Sequence, residues 1–169
     1  MHKYARFAAM IVVSTVIMLA LMYLNVYSAS DVHFSQTRLF MALIMGAVMA
    51  MVMLAFMLHM FDNRRANAVV VLASVAVFGL ALWLVRSQDT VGDVAWMKAM
   101  IPHHSIAILT SERAQITDPR VRELADSIIA SQRKEITEME ALIRDIQKNG
   151  SQGHAVLPPA LSDQQAAAR

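Results

Sequence analysis

Two adjacent histidines, His103 and His104, close the segment Met97-Lys98-Ala99-Met100-Ile101-Pro102, and Gln132, Glu135 and Met139 follow farther along the chain. Thioether sulfur is a soft ligand and imidazole a borderline one, so these residue types together favour copper, Cu(I) ahead of Cu(II). The chain has 14 Met and no Cys. The missing Cys excludes disulfides, zinc ribbons and thiolate chemistry. On a helix, Met97, Met100 and His104 fall within about 60° of one another, with His103 on their flank. On a second helix, Gln132 and Glu135 interrupt an apolar stripe of Val121, Ala125, Ile128, Met139, Ile143 and Ile146. If the two helices run antiparallel from a turn at Thr117-Asp118, equal steps set His104 opposite Ser131–Gln132, Met100 opposite Glu135 and Met97 opposite Met139. The expected ligands are His104, Met100 and Met139, with Glu135 and His103 in support, Met97 able to substitute, and Gln132 at the edge. A carboxylate on a buried stripe needs a partner, so Glu135 is expected either to reach a metal or to hold the His104 ring. The competing reading has methionines as flexible core fillers, a plain His104–Glu135 hydrogen bond and a solvated His103. The hairpin is then a structural or protein-interaction module without a metal.

The elements that position these residues follow from the hydropathy. Of 169 residues, 57% are hydrophobic and 17% charged, and the mean hydropathy is +0.45. That balance argues against a purely soluble domain and against disorder. Three apolar runs, about 7–26, 39–60 and 68–85, are long enough to span a bilayer, which takes about 20 residues each. The first, although preceded by Lys3 and Arg6, is too long for a signal-peptide core and lacks a clear cleavage site, so it is expected to be retained. The expected organisation is a membrane domain over 1–86, a linker over 87–92, a helical hairpin over 93–148 and a flexible tail over 149–169. Helix A runs from an Asp93 N-cap to Gln115, with Pro102 expected to kink it or loosen its first turns. Helix B runs from Asp118 as N-cap and Pro119 at its first position to Lys148, closed by Asn149-Gly150. The fold class is all-α.

Charge sets orientation. Residues 1–86 carry six basic and two acidic residues, whereas 87–169 carry nine basic and eleven acidic. Lys3 and Arg6 lie before the first span and Arg64 and Arg65 between the second and third. The positive-inside rule then puts the N-terminus in the cytoplasm and the hairpin outside. The excess positive charge flanks apolar segments, so it does not describe a nucleic-acid surface.

The order Met100-Ile101-Pro102-His103-His104, then Asp118-Pro119-Arg120-Val121, then Gln132, Glu135-Ile136 and Met139, resembles the bacterial domain-of-unknown-function 305 family. Its pattern is Met-Ile-Pro-His-His on one helix and Gln-x-x-Glu-Ile-x-x-Met on the next, and the likeness covers about 93–147. The three-span front end resembles a membrane-anchored subgroup. The resemblance implies a ferritin-like helical fold, a periplasmic or other extracytoplasmic location at a bacterial inner membrane, and a part in copper binding, homeostasis or tolerance, with copper-handling proteins as partners. By motif position it points to Met100, His103, His104, Glu135 and Met139. Thr110 stands where family members often carry Met, and Met97 where Leu is common.

Other classes are weaker. No Glu-x-x-His, His-Glu-x-x-His, phosphate loop or serine elbow occurs, so an enzyme is not expected. The second span carries Met41, Met45, Met49, Met53 and Met57 at four-residue spacing beside Ala42, Gly46 and Ala50. That pattern reads as a padded, closely packed helix interface rather than a copper ladder. A two-helix hairpin cannot enclose a core alone, so pairing into a four-helix bundle by homodimerisation is expected.

Overall fold

The computed structural model describes residues 2–153 and 156–157. Among the described residues five α-helices follow one another: α1 His2–Leu21, α2 Gln36–Phe56, α3 Arg64–Ser87, α4 Asp93–Arg113 and α5 Pro119–Asn149. No strand occurs among the described residues, and the chain is all-α. The expectation of a flexible tail, with His154, falls largely outside the described residues.

The first three helices are long and apolar enough to cross a membrane. Their large side chains point outward in number: Val69, Leu72 and Leu80 of α3 are 65%, 69% and 59% exposed. Water penalises such a surface by roughly 25 cal/mol per Å² of apolar area, whereas lipid does not. The chain is a membrane protein by this reading of its helices. α1 and α3 both pack on α2, whose buried residues are Ala42, Gly46, Ala47, Ala50 and Leu54. Small residues let backbones approach. At Gly46 a Cβ would strike the Thr15 hydroxyl of α1.

The span limits differ from the hydropathy reading in two instructive places. α1 ends at Leu21 rather than near Val26, and hydrogen-bonded turns carry the chain on through Leu24, with Tyr23 set in them. Its hydroxyl accepts from the Ser35 amide at 3.0 Å, and its ring lies under Arg38, 4.4 Å from the guanidinium carbon. α3 begins at Arg64 rather than after Asn67, because the Asn63 side chain accepts from the Arg65 and Ala66 amides and caps the helix.

The last two helices form an antiparallel hairpin. Gly92, not Asp93, is the N-cap of α4, and Asp93 is its first residue, where a carboxylate suits the positive end of the helix dipole. The helix continues through Pro102 without interruption. Asp118 caps α5 by accepting from the Arg120 amide at 2.9 Å, and Gly150 ends it at φ 83°, a left-handed φ that glycine adopts freely. Within the hairpin, Met97, Ile101, Met139 and Ile143 form one buried cluster, with Val94, Met100, Ile136 and Ile146 packed against it. Val121, expected on the buried stripe, is 49% exposed.

Five residues separate α3 from α4, yet the hairpin does not hang free. Ser105 is fully buried on α4, one turn after Ile101, and its hydroxyl donates to the buried carboxylate of Asp31 at 2.6 Å. The same oxygen accepts from the Tyr27 amide at 2.7 Å. Arg133 of α5 lies 5.6 Å from the centre of the Tyr27 ring, within reach of a cation–π attraction. The loop between the first two spans thus docks the hairpin on the membrane helices.

Candidate metal centre

α4 contributes Met97, Met100 and His104 on successive turns, and α5 contributes Glu135 and Met139, also one turn apart. The structure brings these two sets together. Glu135 Oε2 lies 3.0 Å from His104 Nδ1, and Met97, Met100 and Met139 belong to the apolar cluster next to that pair. Equal-step counting sets His104 opposite Ser131–Gln132, but its ring reaches Glu135. Helical side chains lean toward their own N-terminus, and in an antiparallel pair the two leans converge, so His104 and Glu135 meet halfway.

The His104 side chain is 13% exposed and that of Glu135 43%. Although close, the carboxylate is not aligned with Nδ1. That nitrogen is buried and lacks a hydrogen-bond partner, so the contact is electrostatic proximity rather than a formed hydrogen bond. Burial lowers the His104 pKa below its ordinary value. Glu135 opposes that shift and His103 adds to it. A neutral imidazole is the form that binds metals. Glu135 is held from its other side, where Oε1 accepts from the Ser131 hydroxyl at 2.7 Å.

His103 is exposed, its ring centre 6.2 Å from that of His104. Gln132 is half-buried and makes no hydrogen bond among the described residues. The compact set is therefore His104, Glu135, Met97, Met100 and Met139, with His103 at the rim. No group of three or more His, Cys, Asp or Glu side chains able to hold a metal occurs among the described residues.

Two residues escape the motif reading. Ser131 is signalled only by its spacing, four residues before Glu135 on one helix. Asp31 is signalled only as the single carboxylate in the first interspan loop. Neither belongs to the Met/His pattern.

Residues 93–168 match the family model described as Domain of unknown function (DUF305). An uncharacterized protein of Acanthamoeba polyphaga mimivirus is 29% identical over 119 residues, covering 69% of this chain and 76% of that protein. That stretch is longer than everything from Asp93 onward, so the likeness reaches back into the membrane helices. No solved structure matches the chain. Residues 93–168, which hold the whole Met/His cluster, are a domain of the DUF305 family.

Proposed function

We propose that this protein is a membrane-anchored copper-binding protein whose hairpin holds the ion through His104, Met100 and Met139. Glu135 and His103 support the site, and Met97 is a further thioether. The observation that carries the reading is the buried Nδ1 of His104. It has no aligned hydrogen-bond partner and is biased toward the neutral form, and its helix carries Met100 and Met97 one and two turns earlier, in the hairpin core shared with Met139. Imidazole with thioethers suits copper, Cu(I) above all, better than zinc or magnesium. The proposed role is homeostasis or tolerance, by holding the ion and exchanging it with copper-handling partners, without catalysis.

The proposed placement is a bacterial inner membrane with the hairpin on the periplasmic side, from the basic residues at the opposite end of the spans. Alkaline phosphatase fused after Lys148 is active in that arrangement and inactive in the reverse. The proposed assembly is a homodimer. Trp96, Val121, Leu124 and Leu142 of the hairpin are 52%, 49%, 60% and 46% exposed, and a second hairpin would cover them as a four-helix bundle. A monomeric mass in mild detergent would count against it.

The site is tested by copper titration of the full chain in detergent, with and without reductant. The whole chain is the right reagent because Ser105 of α4 is buried against Asp31 of the membrane part. His104→Ala weakens copper binding by more than tenfold, at least about 1.4 kcal/mol. Equal binding by the wild type and the His103→Ala/His104→Ala double variant returns the hairpin to a structural role.

A further inference from the structure

At the opposite end of the membrane helices lies a cavity of about 240 Å³ between the start of α1 and the chain leaving α2. Its walls are fixed. Phe61 is buried, with its ring 4.9 Å from Tyr4 and 5.4 Å from Phe7, centre to centre. The Phe61 carbonyl accepts from the Asn67 side chain at 3.0 Å, and Tyr4 donates to the same side chain at 2.8 Å. Met10, Met57 and Met60 complete the apolar lining. Lys3 and Arg6 are the charged members.

Those cations decide what the cavity suits. Three thioethers alone would invite a soft metal ion, but two fixed positive charges repel one. Lys3 is 67% exposed; its ammonium donates to the Met60 carbonyl at 3.4 Å and meets Asp62 at 4.0 Å, a surface pairing worth little. Arg6 has no carboxylate within ion-pair distance among the described residues. From the cavity, Met10, Val13 and Ile17 run up the exposed face of α1, 37%, 56% and 51% exposed. A basic rim, an apolar pocket and an apolar track along a membrane helix match one ligand class, an amphiphile with an anionic head.

We propose that this cavity binds an anionic phospholipid of the surrounding membrane, its phosphate at Lys3 and Arg6 and its acyl chain along Met10, Val13 and Ile17. The site is independent of the copper reading. It is tested on the full chain in nonionic detergent by native mass spectrometry, with phosphatidylglycerol and phosphatidylcholine added separately. The wild type retains phosphatidylglycerol at least tenfold more than phosphatidylcholine. Lys3→Gln/Arg6→Gln loses that preference, and Lys3→Arg/Arg6→Lys keeps it. Arg64→Gln/Arg65→Gln, at the same end but outside the cavity, keeps it too. Equal retention of the two lipids by the wild type overturns the proposal, as does an unchanged preference in the double Gln variant. Equal loss in the Arg64/Arg65 variant assigns the effect to diffuse charge and also overturns it. Displacement of the lipid by millimolar inorganic phosphate reduces the site to a phosphate contact and overturns the lipid assignment as well.

Discussion

Methionine gathers at two places in this molecule, in opposite company. In the hairpin, Met97, Met100 and Met139 lie beside a partly buried imidazole and a carboxylate. At the far end of the spans, Met10, Met57 and Met60 line a cavity with Lys3 and Arg6. The sulfur chemistry is the same and the electrostatics are reversed. A neutral histidine beside an acid attracts a cation, and an ammonium beside a guanidinium rejects one. Counting methionines therefore does not locate a metal site. On the two proposals above, the charges one turn away decide whether a thioether faces an ion or a hydrocarbon chain.

The largest test of this contrast replaces Met97, Met100 and Met139 together by Leu. The volumes are close enough for the hairpin to fold, and Cu(I) affinity falls at least a hundredfold, about 2.8 kcal/mol, in a competition titration. Unchanged affinity would show that His104 and Glu135 act without sulfur. A smaller effect follows Ser105→Ala, which strips the buried Asp31 carboxylate of its hydroxyl donor at a cost on the order of 1–2 kcal/mol. Hydrogen exchange on α4 then quickens while α2 is unaffected, and equal exchange in both proteins would mean the docking contact is weak.

Acid discriminates the two ends more gently. Asp118 caps α5, and its hydrogen bonds to Arg120 hold its carboxyl below the usual carboxylate range. That support is present above the ordinary carboxylate pKa and is lost as pH falls through the depressed value. Asn63, which caps α3, does not titrate. Amides in the first turn of α5 should lose protection in acid before those of α3, and simultaneous loss would remove the cap as the cause. The smallest expected effect is none. Met10, Met57 and Met60 changed together to Leu should leave copper affinity within about twofold, and a larger fall would break the comparison.

The hairpin is legible in the sequence because its signals are local. Asp118-Pro119 starts α5 and Gly150 ends it, and the helical period puts His104 and Glu135 on facing sides. The first span is less legible. Hydropathy runs on to Val26, but the α-helix gives way to turns after Leu21, where the Tyr23 hydroxyl accepts from the Ser35 amide. The docking of the two halves is not legible at all. Asp31 and Ser105 are 74 positions apart, and a short polar loop before an amphipathic helix reads as a tether. Pro102 is a further case, since it reads as a kink or a loosening of the first turns yet is fully buried inside a continuous α4.

That buried seam sets an address. Ser105 follows His104 directly, and its hydroxyl is bonded to the loop that joins the first two spans. The imidazole is therefore moored at the height where the spans emerge, with no slack to sweep through solution. On the proposed copper reading, a partner that trades an ion with it comes down to the lipid headgroups, and the exposed ring of His103 is the side on which it lands.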